Sequence, residues 1–269
     1  MTAEAAPATD APRSWFDVAG KTVLVTGGTS GVGMMIAHGM VLAGAKVIVS
    51  SRKDQAVRET EAALRRDGDA TGVRGDVSTP EGTAELARAI QAQTDVLHVL
   101  VNNAGTTWGA PLDEFPAVAW DRVMHTNVEG LFHLTVACLP LLRAAASAED
   151  PARIINIGSI EGMRPPPMEN YSYSASKAAV HQLSRHLARR LAPEHMTVNA
   201  IAPGPFESRM MKFVVDDPDL HAKMIAEVPM RRFGRMEDIA GMVQFLSSRA
   251  GSYVTGAVLP LDGGITGAG

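Results

Sequence analysis

The 269-residue chain is poor in cysteine, in aromatic side chains and in long runs of one charge, and each shortage removes a class of function. Its one cysteine, Cys138, has no partner for an internal disulfide, and its neighbours, TVACLPLL, read as a packing environment rather than that of a nucleophile. That composition suits a reducing, cytoplasmic setting. A net charge of -4 without a long block of like charge offers little to a phosphate backbone, so no nucleic-acid partner is expected. The sequence contains no apolar run approaching the roughly 20 residues that span a bilayer, and no membrane anchor is expected. The histidines show no ligand spacing, so no metal site is expected. Residues 1–14, MTAEAAPATDAPRS, lack the basic start and apolar run of a signal peptide and have the Ala/Pro/Thr content of a disordered tail.

What the chain does have is alternation. From about residue 21, short β-branched runs (TVLVTG, KVIVSS, VLHVLVNN, ARIINIGS, MTVNAIAPG, AVLPLDGG) are separated by segments such as DQAVRETEAALRRDG and PEGTAELARAIQAQ. In the latter, apolar residues recur at helical spacing among charges. Near-continuous apolar strands joined through helices imply a parallel sheet covered on both faces, a doubly wound α/β fold. No repeat or linker divides the chain, so residues 15–269 are expected to form one domain. Residues 205–232 follow a strand and contain apolar residues without a matching strand, and are expected to form a flap over the site.

The loop TGGTSGVG, residues 26–33, lies between the first strand and a helix. Gly27, Gly31 and Gly33 permit a tight turn and close approach of a diphosphate to backbone N–H groups at a helix N-terminus. At the end of the second strand, a carboxylate would accept hydrogen bonds from an adenosine ribose and repel a 2′-phosphate. Here the sequence reads SSRK, and Arg52 with Lys53 would welcome that phosphate.

Together with GDV at 75–77, NNAG at 102–105, Asn127 in TNVEG, Ser159 in NIGS, YSASK at 173–177, PG at 203–204 and the late LDGG, this loop resembles the short-chain dehydrogenase/reductase family. The resemblance covers nearly the whole chain after the tail and implies a Rossmann-type sheet of seven strands, a cofactor NADP(H), a small carbonyl or alcohol substrate, and assembly into a homotetramer or homodimer. The helix containing HQLSRHLARR would pack between subunits. Longer strings, GTTWGAPL and HQLSRHLARRLAPEHMTVNAIAPGPFESRM among them, are similar to bacterial 3-oxoacyl reductases, including the form associated with rhamnolipid synthesis.

The stretch YSYSASK offers two tyrosines to one lysine. On a helix, Tyr173 and Lys177 are four apart and share a face, whereas Tyr171 and Lys177 stand about 240° apart around the axis, so Tyr173 is the candidate. The family resemblance implies that Ser159 hydrogen-bonds the substrate oxygen and Tyr173 transfers the proton. Lys177 would lower the tyrosine pKa and hold the nicotinamide ribose, and Asn127 would hold a water leading from the lysine to solvent. It also implies cofactor contacts from Thr29, Ser30 and Val32 in the loop, Ser51 beside Arg52, Asp76 and Val77 near the adenine, and Asn103, Ala104 and Gly105 along the ribose. Pro203, Gly204, Phe206 and Ser208 would flank the nicotinamide. Ser30 departs from the basic residue common before the second loop glycine in NADP-binding relatives, so the NADP(H) preference rests on Arg52. An apolar set of Trp108, Met163, Met168, Phe206, Met210 and Met211 is expected to line the substrate pocket. Glu161 would disfavour anionic substrates unless it turns to solvent. An enoyl reductase is not expected, because that related group has its tyrosine seven positions before the lysine, where this chain has Asn170.

Overall fold

The computed structural model describes residues 14–166, 168–207 and 217–267. Among them, seven strands form one parallel sheet: β1 (Thr22–Thr26), β2 (Lys46–Ser51), β3 (Ala70–Arg74), β4 (Val99–Asn102), β5 (Ala152–Ile157), β6 (Met196–Pro203) and β7 (Val258–Leu261). The spatial order is β3-β2-β1-β4-β5-β6-β7. Six of these strands correspond to the β-branched runs of the sequence. The seventh, β3, reads ATGVR and occupies the sheet edge with Thr71 and Gly72 half-buried, so it lacks the apolar continuity that marks a central strand.

Each central strand feeds two cores. In β1, Val23 and Val25 pack with Ile36 and Met40 of α1 (Gly31–Leu42) and with Val243 and Leu246 of α8 (Met236–Ser247) on one face. Leu24 faces the other way, toward Leu86 and Ile90 of α3 (Pro80–Gln91) and Leu134, Cys138 and Leu142 of α5 (Gly130–Ala145). This period-2 division follows from the pleat, and burying each such aliphatic side chain contributes about 1.5–3 kcal/mol. Cys138 is fully buried, and burial pushes its thiol up to about 12, as befits a packing residue.

The sequence expectation of no membrane-length apolar segment needs correction. Residues Ala117–Ala145 run on as one helical stretch of 29 residues, long and apolar enough by length and composition to span a bilayer. The stretch comprises α4 (Ala117–Met124), a π-turn (His125–Glu129) and α5. Its apolar content arises because α5 packs its Leu134, Cys138 and Leu142 stripe against the sheet and α3.

Strand order reverses between β1 and β4, and the carboxyl ends of these strands open a crevice of the kind that binds ligands in doubly wound sheets. The β1 end is fastened there by Thr26, whose hydroxyl accepts from the backbone N–H groups of Asn103 and Ala104, both at 3.0 Å. The described part of the expected flap contains a helix, α7 (Pro218–Glu227), started by Asp217, which accepts from the N–H groups of Asp219 and Leu220.

Candidate active site

The crevice is a cavity of about 900 Å³ at the carboxyl edge of the sheet. Of the cofactor residues expected from the sequence, all but Lys53 and Ser208 line it, from Gly27 through Arg52 and Asp76 to Gly204 and Phe206. Ser208 lies outside the described residues, as do Met210 and Met211.

The glycine loop is built for close approach. Gly31 has φ 52°, and a Cβ on Gly33 would overlap both the Asn103 amide nitrogen and the Gly27 carbonyl oxygen. The Asn103 side chain occupies that space because its amide donates to the carbonyls of Thr26 at 2.8 Å and Gly27 at 3.2 Å. Asn103 therefore braces the loop, a role that its place in NNAG does not reveal. Replacing Gly33 with alanine is expected to abolish tight nucleotide binding and lower the melting temperature, which a dye titration and thermal unfolding of the same variant would check. Asp76 is held by the backbone N–H and hydroxyl of Ser78 at 2.9 and 2.7 Å. Arg52 lines the cavity from an exposed position at its lip, while Lys53 does not line it.

Ser159, Tyr173 and Lys177 line the same cavity. Ser159 follows β5 and caps a 3-10 turn, Ile160–Gly162, its hydroxyl accepting from Glu161 N–H at 3.2 Å. Tyr173 and Lys177 stand one turn apart in α6 (Tyr171–Leu191), with the Lys177 ammonium 5.5 Å from the centre of the Tyr173 ring. Lys177 is buried, and its Nζ donates to the Ile157 carbonyl at 2.7 Å. Burial lowers its pKa to about 8, against an opposing effect of the Glu161 charge.

On balance the protein's own groups raise the Tyr173 pKa, the direction opposite to that expected of Lys177 together with the nicotinamide. Burial first, and then the Glu161 charge, hold the phenol well above its usual value, with a hydrogen bond to Ser159 offsetting part of the rise. A phenol so held is protonated at neutral pH, which is the form that donates a proton. Tyr171 is placed apart, its ring edge-on to Phe115 at 5.4 Å and its hydroxyl donating to Glu169 at 3.0 Å.

Asn127 does not line the cavity. It sits in the π-turn, where its two amide protons go to the Thr106 carbonyl and the Ser176 hydroxyl, both at 2.9 Å, and its oxygen accepts from Thr106 N–H at 2.8 Å. The side chain thus ties the loop after β4 to α6, with both of its donors engaged. The substrate-side expectation also needs revision. Met168 and Phe206 line the cavity, joined by Met224 from α7, but Trp108 and Met163 do not. Trp108 lies under the Arg122 guanidinium at 5.5 Å, and Met163, closing the 3-10 turn, is 46% exposed.

Sequence reasoning missed two further groups. Asn170, buried at the entrance to α6, donates to the Glu161 carboxylate at 2.6 Å, so Glu161 faces the cavity rather than solvent. His181, one turn beyond Lys177, is buried with Nε2 unpaired and its pKa is lowered to about 4, chiefly by burial and then by the charges of Lys177 and Arg185. Because the folded pKa lies below the usual 6.5, the associated stability is present above pH 6.5 and lost as pH falls toward 4, a difference of about 3 kcal/mol. Urea unfolding at a series of pH values should show that loss in the wild type, and His181→Leu should lack this portion of it.

A family model described as Enoyl-(Acyl carrier protein) reductase matches residues 27–266. The rhamnolipids biosynthesis 3-oxoacyl-(acyl-carrier-protein) reductase of Pseudomonas aeruginosa is 46% identical over 250 residues, covering 93% of this chain and 98% of that protein. Gluconate 5-dehydrogenase of Gluconobacter oxydans is 31% identical over 258 residues, covering 93% of this chain and 96% of that enzyme. Among solved structures, the Pseudomonas aeruginosa RhlG/NADP active-site complex superposes with a TM-score of 0.92 at 45% identity, covering 94% of this chain and 99% of that one. With the parallel sheet, the glycine loop at its switch point and the serine, tyrosine and lysine on one cavity, these matches identify the chain as a member of the short-chain dehydrogenase/reductase family.

Proposed function

We propose that the protein is an NADPH-dependent carbonyl reductase, cytoplasmic and assembled as a homotetramer or homodimer, whose substrate is a 3-oxoacyl thioester. The observation that carries this reading is the convergence of the Ser159 hydroxyl, the protonated Tyr173 and the Lys177 ammonium on a cavity that also contains the glycine loop and Arg52. The loop fits a dinucleotide, because Gly27, Gly31 and Gly33 line the cavity with bare backbone at the start of α1, a close packing that a side chain at Gly33 would break against Asn103 and Gly27. Gly31–Gly33 would hold its diphosphate at the start of α1, Arg52 its 2′-phosphate, and Pro203 and Gly204 its nicotinamide end. Bound NADPH supplies a hydride to the carbonyl carbon.

The chain's own groups manage the oxygen. Ser159 and Tyr173 donate hydrogen bonds to it, stabilising the charge that develops there. Tyr173 then gives up its proton, and the Lys177 ammonium stabilises the phenolate left behind. The acyl part of the substrate is supported by the similarity to the Pseudomonas reductase and by Met168, Phe206 and Met224, an adaptable apolar wall. Although the matching family model is described as an enoyl reductase, the position seven before the lysine is Asn170, engaged with Glu161. Reduction of a carbonyl is therefore preferred over that of a carbon–carbon double bond. The oligomer is supported by exposed apolar residues on α4 and α5, including Trp120, Phe132 and Val136, and size-exclusion chromatography showing only monomer would contradict it.

A substrate panel of acetoacetyl and longer 3-oxoacyl thioesters, set against diketones, cyclic ketones and keto-sugar acids, tests the substrate assignment. Higher kcat/KM on the thioesters is expected. Activity confined to the other ketones would overturn the acyl assignment while leaving carbonyl reduction in place.

A further inference from the structure

The turn Ile160–Gly162 is fastened to α6 at the level of Lys177. Ser174 donates its hydroxyl proton to the Glu161 carbonyl at 2.6 Å, and a Cβ on Gly162 would stand 2.6 Å from the Lys177 carbonyl carbon. Within this close packing the Glu161 side chain is half-buried and turned toward the cavity. Asn170 holds it at 2.6 Å, and it lines the cavity with Ser159, Tyr173 and Lys177. A buried ammonium loses its hydration and needs a compensating charge, but the oxygen that Lys177 itself reaches, that of Ile157, is neutral.

We propose that Glu161 is a positioning residue: it is the counter-charge that keeps the buried Lys177 protonated, and with it the Tyr173 phenol, so that the site stands loaded for carbonyl reduction. This rests on the activity proposed above. The other titratable groups packed around the turn do not supply that charge. His181, on the far side of Lys177, is neutral near pH 7. Glu169 accepts from the Tyr171 hydroxyl and from Leu112 N–H, and Arg164 donates to the Ile265 carbonyl. Glu227, on α7 at the cavity wall, is exposed and screened by water. Among the described residues, the carboxylate charge that raises the Lys177 and Tyr173 pKa values is that of Glu161, and in both cases it opposes loss of the proton.

The test compares the full-length wild type with Glu161→Gln and Glu161→Asp. Lys177 is titrated by NMR of carbon-labelled lysine, assigned with Lys177→Arg, and carbonyl reduction is followed against pH. In Glu161→Gln the lysine midpoint is expected to fall by about one pH unit, and the alkaline limb of the reduction profile to move the same way, a tenfold loss of rate at a fixed pH on that limb. Glu161→Asp, which keeps the charge, is expected to stay nearer the wild type. A Glu161→Gln midpoint equal to that of the wild type, in protein with an unchanged melting temperature, overturns the proposal. A shift in Glu161→Asp as large as that in Glu161→Gln also overturns it, because shape rather than charge would then be responsible. If the wild type reduces no carbonyl, the activity reading fails, and the lysine titration still decides the role of Glu161.

Discussion

Replacing Tyr173 with phenylalanine will lower the rate of carbonyl reduction by about a hundredfold to ten-thousandfold, the range that a positioned general acid contributes. The substitution removes one hydroxyl from the cavity and leaves the ring, and with it the packing beside Lys177. Nucleotide affinity should remain because the glycine loop, Asp76 and Arg52 stand on other elements. Steady-state rates and NADPH fluorescence titration on the same preparation separate these two quantities. Tyr171→Phe provides the internal control. Tyr171 does not line the cavity and its hydroxyl is taken up by Glu169 at the wall, so its loss should leave turnover near the wild-type level.

Arg52→Ala should weaken NADPH binding by about tenfold to a hundredfold, the loss expected for one or more hydrogen bonds to a charged group, and leave NADH binding unchanged. The asymmetry follows from position. Arg52 lies at the cavity lip beyond the end of β2, where a 2′-phosphate would be its partner and a bare ribose would not. Isothermal titration with both cofactors measures the ratio. Equal weakening of the two would mean that Arg52 acts on the shape of the loop, where its carbonyl accepts from Arg74 at 3.3 Å, and not on the phosphate.

The sequence revealed the parts of the molecule whose physics is local. Strands buried on both faces are apolar along their length, a glycine loop needs glycines, and helical spacing alone separates Tyr173 from Tyr171 as the partner of Lys177. Edge strand β3 was hidden because half its surface meets solvent and Gly72 interrupts its pattern. The helix Pro218–Glu227 carried its own sign in Asp217-Pro218, a cap followed by proline, but the apolar residues around it obscured that signal.

Long-range contacts were beyond the sequence's reach. That Asn127 would bond Thr106 and Ser176, that Asn103 would brace Gly27, or that Glu161 would turn inward to Asn170 depends on segments 9 to 76 residues apart meeting at the sheet edge. The protonated state of Tyr173 has the same origin. Helical spacing put an ammonium beside the phenol, whereas the depth of the site and the carboxylate of Glu161 set the opposite direction for its pKa.

The most direct measurement is the initial rate of NADPH oxidation by the wild-type protein with acetoacetyl thioester, accompanied by identification of the product. The account predicts oxidation that depends on the carbonyl, saturates with substrate and forms one 3-hydroxyacyl product per NADPH consumed. Tight NADPH binding without consumption over every carbonyl offered would contradict it and leave a nucleotide-binding protein in place of a reductase.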